Sequence, residues 1–435
     1  MSFAILSLIV IGNFSVFSYG THELGIKFGD PVPSMNNPTL SVQEVARGLH
    51  LPTRMAFLDT DNILVIEKGN GTVKRIQNGN LVGQPLLDVN VANGYERGML
   101  GLAISKSFGV TYVFLYFTEA DSKDGDVALG NRLYRYELVK DKLINPKLLL
   151  DLPAIPGPFH NGGAVSIGPD DNVYLSVGDV YGTCEDTLNV NSSCQKTQTR
   201  AQNFPKKAEP DGRAGILRIT QDGNAVNGKG ILGDKYPLNL YYAYGIRNSF
   251  GLDFDPLTGN LWDTENGPLF GDEINLVNPG FNGGWAKVQG IWKPNGTSPG
   301  KVSLDPGHLE EFEGRGKYRG PEFTWRYPVG PTALAFVNSD KLGEQYENDI
   351  FVGDVNNGNL YHFDLSEKRT GFVLNGKLSD KVADEKIENK DLILGHNFGE
   401  ITDIKVGPDG YVYVLVYSQQ YGKILKIIPR QDASQ

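Results

Sequence analysis

The side chains best placed to do chemistry lie in one stretch. Phe159-His160-Asn161-Gly162-Gly163 leads into Val165-Ser166-Ile167, a Gly168-Pro169-Asp170-Asp171 turn, and a run with Val173, Leu175 and Val177 on one side that stops at Gly178-Asp179. Paired as an antiparallel hairpin, the two runs bring His160 and Asp179 to one edge, within hydrogen-bond reach. A carboxylate on one ring nitrogen leaves the other as a proton acceptor, which is what a general base requires. A structural account also fits, with His160 closing a loop and Asp179 holding backbone, and it is the commoner fate of such pairs.

Four further stretches carry chemical residues. Glu96-Arg97-Gly98-Met99-Leu100-Gly101 sets two charges before a glycine and an apolar strand. Tyr244-Gly245-Ile246-Arg247-Asn248-Ser249-Phe250-Gly251 places a planar cation and an amide between glycines, where backbone can approach a ligand. Gly267-Pro268 followed by Gly271-Asp272-Glu273-Ile274-Asn275 is a turn whose carbonyls and carboxylates suit a hard cation such as calcium, although the spacing is not that of an EF-hand. Trp325-Arg326-Tyr327-Pro328 offers an aromatic wall or a core aromatic. The other histidines show no His-x-x-x-His pairing, and no phosphate-cradling Gly-Lys-Ser loop is present.

The elements that must position these residues are short strands. The chain has 435 residues, 53 of them glycine and 24 proline, and no long amphipathic helix. One pattern recurs six times, an apolar residue, a turn with Asp, Pro or Gly, and a strand: at Phe57–Val65, Ile104–Tyr116, from Ile167–Asp170, at Phe254–Trp262, Phe336–Asp354 and Val406–Val414. The expectation is an all-β, six-bladed propeller with long inter-strand loops crowding one end of the channel, rather than a plain β-sandwich. It forms one domain over 42–430. A formal charge of −10 argues against nucleic acid.

Residues 1–20 have the apolar core and small polar end of a signal peptide, with an uncleaved anchor helix as the alternative, and 21–41 read as an extended segment. Cys184 and Cys194 can close a local disulfide, which fits an exported protein, whether secreted, periplasmic or on the cell surface.

In this order, Glu96-Arg97-Gly98-Met99-Leu100-Gly101-Leu102-Ala103, His160 with Gly178-Asp179, Gly215-Ile216-Leu217-Arg218-Ile219, Arg247-Asn248, and Gly267-Pro268 with Asp272-Glu273-Ile274-Asn275 resemble the soluble glucose/sorbosone dehydrogenases. These are six-bladed propellers that use pyrroloquinoline quinone and calcium. The resemblance implies that His160 is the general base on an aldose hydroxyl and Asp179 its orienting partner. It implies that Arg247 and Asn248 contact the quinone oxygens, that the Gly267 and Pro268 carbonyls hold calcium, and that Glu96 and Trp325 line the sugar pocket. It further implies an external electron acceptor. One departure weighs against the cofactor: the family's carboxylate-binding lysine and two arginines correspond here to Asn356, Glu400 and Thr402. Two functions follow, an exported quinoprotein oxidising aldoses at the anomeric carbon, or a silent propeller binding glycan or protein outside the cell. A calcium-dependent hydrolase of lactonase-like type ranks behind both.

Overall fold

The computed structural model describes residues 32–182, 198–296, 298–303, 307–418 and 422–430. The leader, most of the 21–41 segment and both Cys184 and Cys194 lie outside the described residues. Within them no helix is long and apolar enough to cross a membrane.

The chain enters on β1 (Leu40–Leu49) and then lays down sheets in order. The first holds β2 (Pro52–Asp59), β3 (Asn62–Glu67) and β4 (Thr72–Gln77), edged by the short piece Asn80–Leu81. The second holds β5 (Met99–Ser107), β6 (Val110–Ala120), β7 (Ala128–Val139) and β8 (Lys142–Leu152); the third β9 (Val165–Ile167), β10 (Val173–Val177), β11 (Gly215–Ile219) and β12 (Tyr241–Tyr244). The fourth holds β13 (Ser249–Phe254), β14 (Leu261–Glu265), β15 (Asp272–Val277) and β16 (Phe323–Trp325); the fifth β17 (Pro331–Phe336), β18 (Ile350–Asp354), β19 (Leu360–Phe363) and β20 (Ile393–His396). The chain ends in β21 (Glu400–Val406), β22 (Val412–Tyr417) and β23 (Gly422–Pro429), and β23 pairs antiparallel with β1, Leu40 opposite Pro429 and Leu49 opposite Gly422.

Each recurring turn joins the first and second strand of a sheet, but the expected count of six blades is corrected. The structure shows five blades, counting a blade as four antiparallel strands laid down in one forward run of chain. The sixth copy of the pattern, at the β21–β22 turn, falls in a composite sheet whose outer strand β1 comes from the far end of the sequence. A repeat count cannot distinguish the two, because the turn is local while the pairing that completes the sheet spans the chain. Part of the 21–41 segment is also more than a tether, since Ser34–Met35 pairs with the outer strand β20 of the fifth sheet.

The first strands pack in a ring, β2 on β5, β5 on β9, β9 on β13, β13 on β17, β17 on β21, and β21 back on β2. Between neighbouring sheets lie apolar layers, such as Leu100, Phe114 and Tyr116 against Val173, Leu175 and Leu217, or Ala46, Leu49, Leu415 and Ile424 against Met55 and Val65. Burial of these faces is the main stabilising term, because no sheet covers both its faces alone.

A belt of buried hydroxyls stitches the same ring. Each donates to a carbonyl of the next sheet: Thr53 to Met99 at 2.9 Å, Tyr116 to Asn161 at 2.9 Å, Ser176 to Ser249 at 3.0 Å, Thr264 to Thr332 at 3.0 Å, Thr332 to Ile401 at 2.6 Å, and Thr402 to Pro52 at 3.0 Å. The innermost edge of a sheet has backbone groups with no strand to pair, and these hydroxyls supply donors that water cannot. Arg54 crosses the channel inside the belt, donating to the Thr402 carbonyl at 2.8 Å and to the Phe250 carbonyl, stacked 4.5 Å over the Phe250 ring and 3.6 Å from Asp403.

Removal of Arg54 leaves the buried Asp403 with only the half-exposed Lys405, 3.9 Å away, as counter-charge. Arg54→Ala is expected to cost about 3–5 kcal/mol, and Thr402→Val, which orphans the Pro52 carbonyl, about 1–3 kcal/mol. Urea unfolding with both midpoint and slope fitted checks the pair; equal costs would mean that the belt and the ion pair are not separate contributions.

Candidate active site

The loops entering β5, β9, β13 and β17 and those leaving β10, β14 and β18 open at one end of the ring, where they line a cavity of about 450 Å³. Glu96, His160, Asp179, Arg247, Asn248, Gly267, Pro268 and Asn356 all line it. Residues that are up to 260 positions apart in sequence meet there because first and second strands of successive sheets point the same ends at the channel.

His160 and Asp179 are held by an extension of the β9–β10 hairpin. Val165 lies opposite Leu175, and beyond the strands the Gly163 N–H donates to the Ser176 carbonyl at 3.0 Å and the Val180 N–H to the His160 carbonyl at 3.2 Å. Gly178 sits between, and a Cβ there would meet the His160 carbonyl oxygen at 2.2 Å, so no larger residue fits. His160 adopts φ 57°, the left-handed region that a non-glycine residue occupies only when its surroundings enforce it. The enforcement is visible: its N–H donates to the Glu96 carboxylate, and its ring lies stacked 5.5 Å from Tyr181.

The side chains form a relay. His160 Nδ1 is 2.6 Å from Asp179 Oδ1, and Asp179 Oδ2 accepts from Trp285 Nε1 at 2.8 Å. Burial pushes the Asp179 carboxyl up, yet the His160 ring, Arg247 and the indole together hold it below its ordinary value. Both carboxylate oxygens are committed, and His160 Nε2 is the ring nitrogen left over. Arg247 is half-buried over the Trp285 ring at 5.6 Å, and its Nη1 donates to the Asn266 carbonyl at 2.7 Å. Asn248 Oδ1 accepts from the Gly162 N–H at 3.3 Å, tying the arginine loop to the histidine loop.

Asp272 shapes the opposite wall. It accepts from the N–H groups of Gly267, Val329 and Gly330, each at 2.8 Å, and burial raises its carboxyl to about 6 against those bonds and Arg247. Behind it the β14–β15 face buries three more acids. Burial pushes Asp263 to about 7 and Glu273 to about 8, and raises Glu265 well above its ordinary range, with Glu273 and Asp263 adding repulsion. Both oxygens of Asp263 and one of Glu265 have no hydrogen-bond partner among the described residues.

One sequence expectation needs correction. Trp325 does not line the cavity; it is fully buried against Phe323, Tyr361 and Phe363, because it lies on β16 with its side chain in the layer between the fourth and fifth sheets. The aromatic wall is Trp285, which the Gly283-Gly284 pair before it could have signalled, as Gly162-Gly163 does beside His160. Neither Glu400 nor Thr402 lines the cavity: Glu400 is half-buried at the start of β21, pushed by burial to about 7, and Thr402 belongs to the hydroxyl belt.

A tricarboxylate quinone does not fit this donor set. None of the cations that could replace the missing ones lines the cavity. Lys68 is buried beside Glu96, its amine lowered by burial to about 8, Arg97 donates to the Ala154 carbonyl, and Arg326 lies 4.0 Å from Asp384. Calcium fits as part of a site, since the Gly267 and Pro268 loop faces the cavity, but two carbonyls are too few for a cation that takes six to eight oxygens.

Comparison with known proteins gives one family. Residues 49–426 match the family model described as Glucose / Sorbosone dehydrogenase. The chain is 24% identical over 398 residues to the aldose sugar dehydrogenase YliI of Escherichia coli, covering 90% of this chain and 94% of that protein. It is 30% identical over 262 residues to quinoprotein glucose dehydrogenase B of Acinetobacter calcoaceticus, covering 58% and 53%. The structure of the PQQ-bound form of an aldose sugar dehydrogenase from Streptomyces coelicolor superposes with a TM-score of 0.62 at 21% identity, over 90% of this chain and 99% of that one. The binding-module reading is not favoured by these likenesses.

The buried acids set a pH dependence. Asp263 and Glu273 have folded-state values raised above their unfolded ones, so the folded state binds more protons and stability falls as pH rises from about 4 to about 8. Asp263→Asn is expected to flatten that fall, recovering roughly 2–4 kcal/mol at pH 8, as read by thermal midpoints across the range. An unchanged slope would show that Asp263 is ionised in the fold.

Proposed function

This chain belongs to the glucose/sorbosone dehydrogenase family, and from that premise we propose that it oxidises an aldose at the anomeric carbon, by hydride removal, with His160 as general base. The observation that supports this most is the Asp179 carboxylate, bonded through one oxygen to His160 and through the other to Trp285, at the wall of a cavity that also holds Arg247 and Asn248.

In this reading the sugar hydroxyl lies against His160 Nε2. Asp179 fixes the tautomer that carries a proton on Nδ1, keeps Nε2 an acceptor, and stabilises the imidazolium once the proton arrives. Glu96, accepting from the His160 backbone N–H, holds that loop in place, and it lines the cavity that would take the sugar. As the hydroxyl proton leaves, the anomeric C–H departs as hydride and the sugar becomes its lactone. Arg247 would stabilise negative charge developing on a bound oxidant, since a fixed guanidinium at that wall lowers the barrier. Calcium at the Gly267 and Pro268 carbonyls would supply a Lewis acid beside it.

Electrons then pass to an external acceptor. Export is part of the same proposal, supported by the leader-like 1–20 segment and by the closeness in sequence of Cys184 and Cys194, which would suit a disulfide.

The test is turnover of a panel of aldoses with a dye acceptor. His160→Ala should lower kcat by about 10²–10⁴ with a thermal midpoint within a few degrees of the parent, and Asp179→Asn should lower kcat less and move the pH profile. Undiminished turnover in His160→Ala would remove the base assignment. His160→Gln, which keeps the volume of the ring, separates loss of the base from loss of packing.

A further inference from the structure

We propose that the cavity is built for an uncharged quinone and not for a quinone bearing several carboxylates. The inference rests on the dehydrogenase reading of the same site and concerns the oxidant that reading requires.

Charge is the first argument. The acidic and basic side chains of the lining are Glu96, Asp179, Asp272, Arg247 and His160, three carboxylates to one guanidinium. That guanidinium is already matched, lying in the field of Asp179, Glu96, Asp272 and the buried Glu265. A ligand with several carboxylates would enter a cavity of its own sign, where like charges repel.

Geometry is the second. Asn356 lines the cavity but offers only a neutral amide, 3.4 Å from the Pro328 carbonyl. Thr402 cannot be exchanged for a cation without opening the hydroxyl belt, and Arg54, which lies beside it, is matched by Asp403. The rest of the wall carries no charge: Phe250, Trp285, Pro268 and Val355 present flat or apolar surfaces suited to a planar ring, and Gln198, Gln202 and Asn266 add only neutral amides. The polar contacts that such a ring needs at its oxygens, Arg247 and Asn248, are retained.

The chemistry balances with this oxidant. The aldose loses a hydride from carbon and a proton from its hydroxyl to give the lactone. The quinone gains both, the proton by way of His160, and becomes the hydroquinone.

The experiment is calorimetric titration of the full chain, in calcium-containing buffer, with pyrroloquinoline quinone and separately with its trimethyl ester. The two share a ring system and differ in charge. The ester is expected to bind at least tenfold more tightly than the tri-acid. Asn356→Lys is expected to tighten the tri-acid about tenfold and leave the ester unchanged. Tighter binding of the tri-acid by the parent chain would overturn the proposal, as would failure of both to bind to folded protein. Addition of aldose to the ester complex separates the two ideas: binding without sugar-dependent bleaching of the quinone would leave the cavity's preference standing and remove the dehydrogenase reading.

Discussion

Everything functional in this protein depends on the ring being closed, and the belt of six hydroxyl-to-carbonyl bonds is where closure is enforced. The apolar layers between sheets would tolerate some sliding, since hydrophobic contact has no direction. A hydroxyl bonded to a specific carbonyl of the next sheet has both length and direction. The last link, Thr402 to Pro52, joins the final sheet to the first within a few residues of where β1 pairs with β23. A ring fixed in that register delivers the ends of its first and second strands to one mouth, and only then do Glu96, His160, Arg247 and Gly267 become neighbours.

Asp179 plays the corresponding part within the cavity. A carboxylate this deeply buried is costly unless its oxygens are occupied and opposite charge is close. The imidazole, the indole and the guanidinium supply those conditions, and each comes from a different loop: β9 entry, the stretch after β15, and β13 entry. One anion therefore organises three elements, and the residue it organises best is the one with a free ring nitrogen. The contrast with Asp263, equally buried but with neither oxygen partnered among the described residues, shows why one carboxyl is held below its usual range and the other is pushed to about 7.

What the sequence disclosed followed contact range. His160 and Asp179 were legible because the hairpin that joins them is local, and alternation in Val173, Leu175 and Val177 sets its register. The recurring turns were legible for the same reason. The composite sheet was not, because a turn motif carries no information about which strand completes its sheet. Trp325 and Trp285 were exchanged because an aromatic beside a strand end looks alike whether its side chain faces the channel or the layer between sheets, and one residue of register decides. Arg54 gave no signal at all, lying in an ordinary strand whose neighbours across the channel, Phe250 and Thr402, are far away in sequence.

Arg54 also changes what the absence of arginine at position 402 means. The channel beneath the cavity has not simply lost positive charge. A guanidinium is there, delivered from the first sheet, touching the Thr402 carbonyl and the back of Phe250, whose ring forms cavity wall. Its charge, however, is met by Asp403, so it adds rigidity to the floor without adding attraction for an anion above it. Threonine at 402 serves the same end, since its hydroxyl closes the belt and its carbonyl receives Arg54. The residues in the floor are thus specialised for holding the ring shut, and recognition of any ligand falls to the walls, where one arginine stands among three carboxylates.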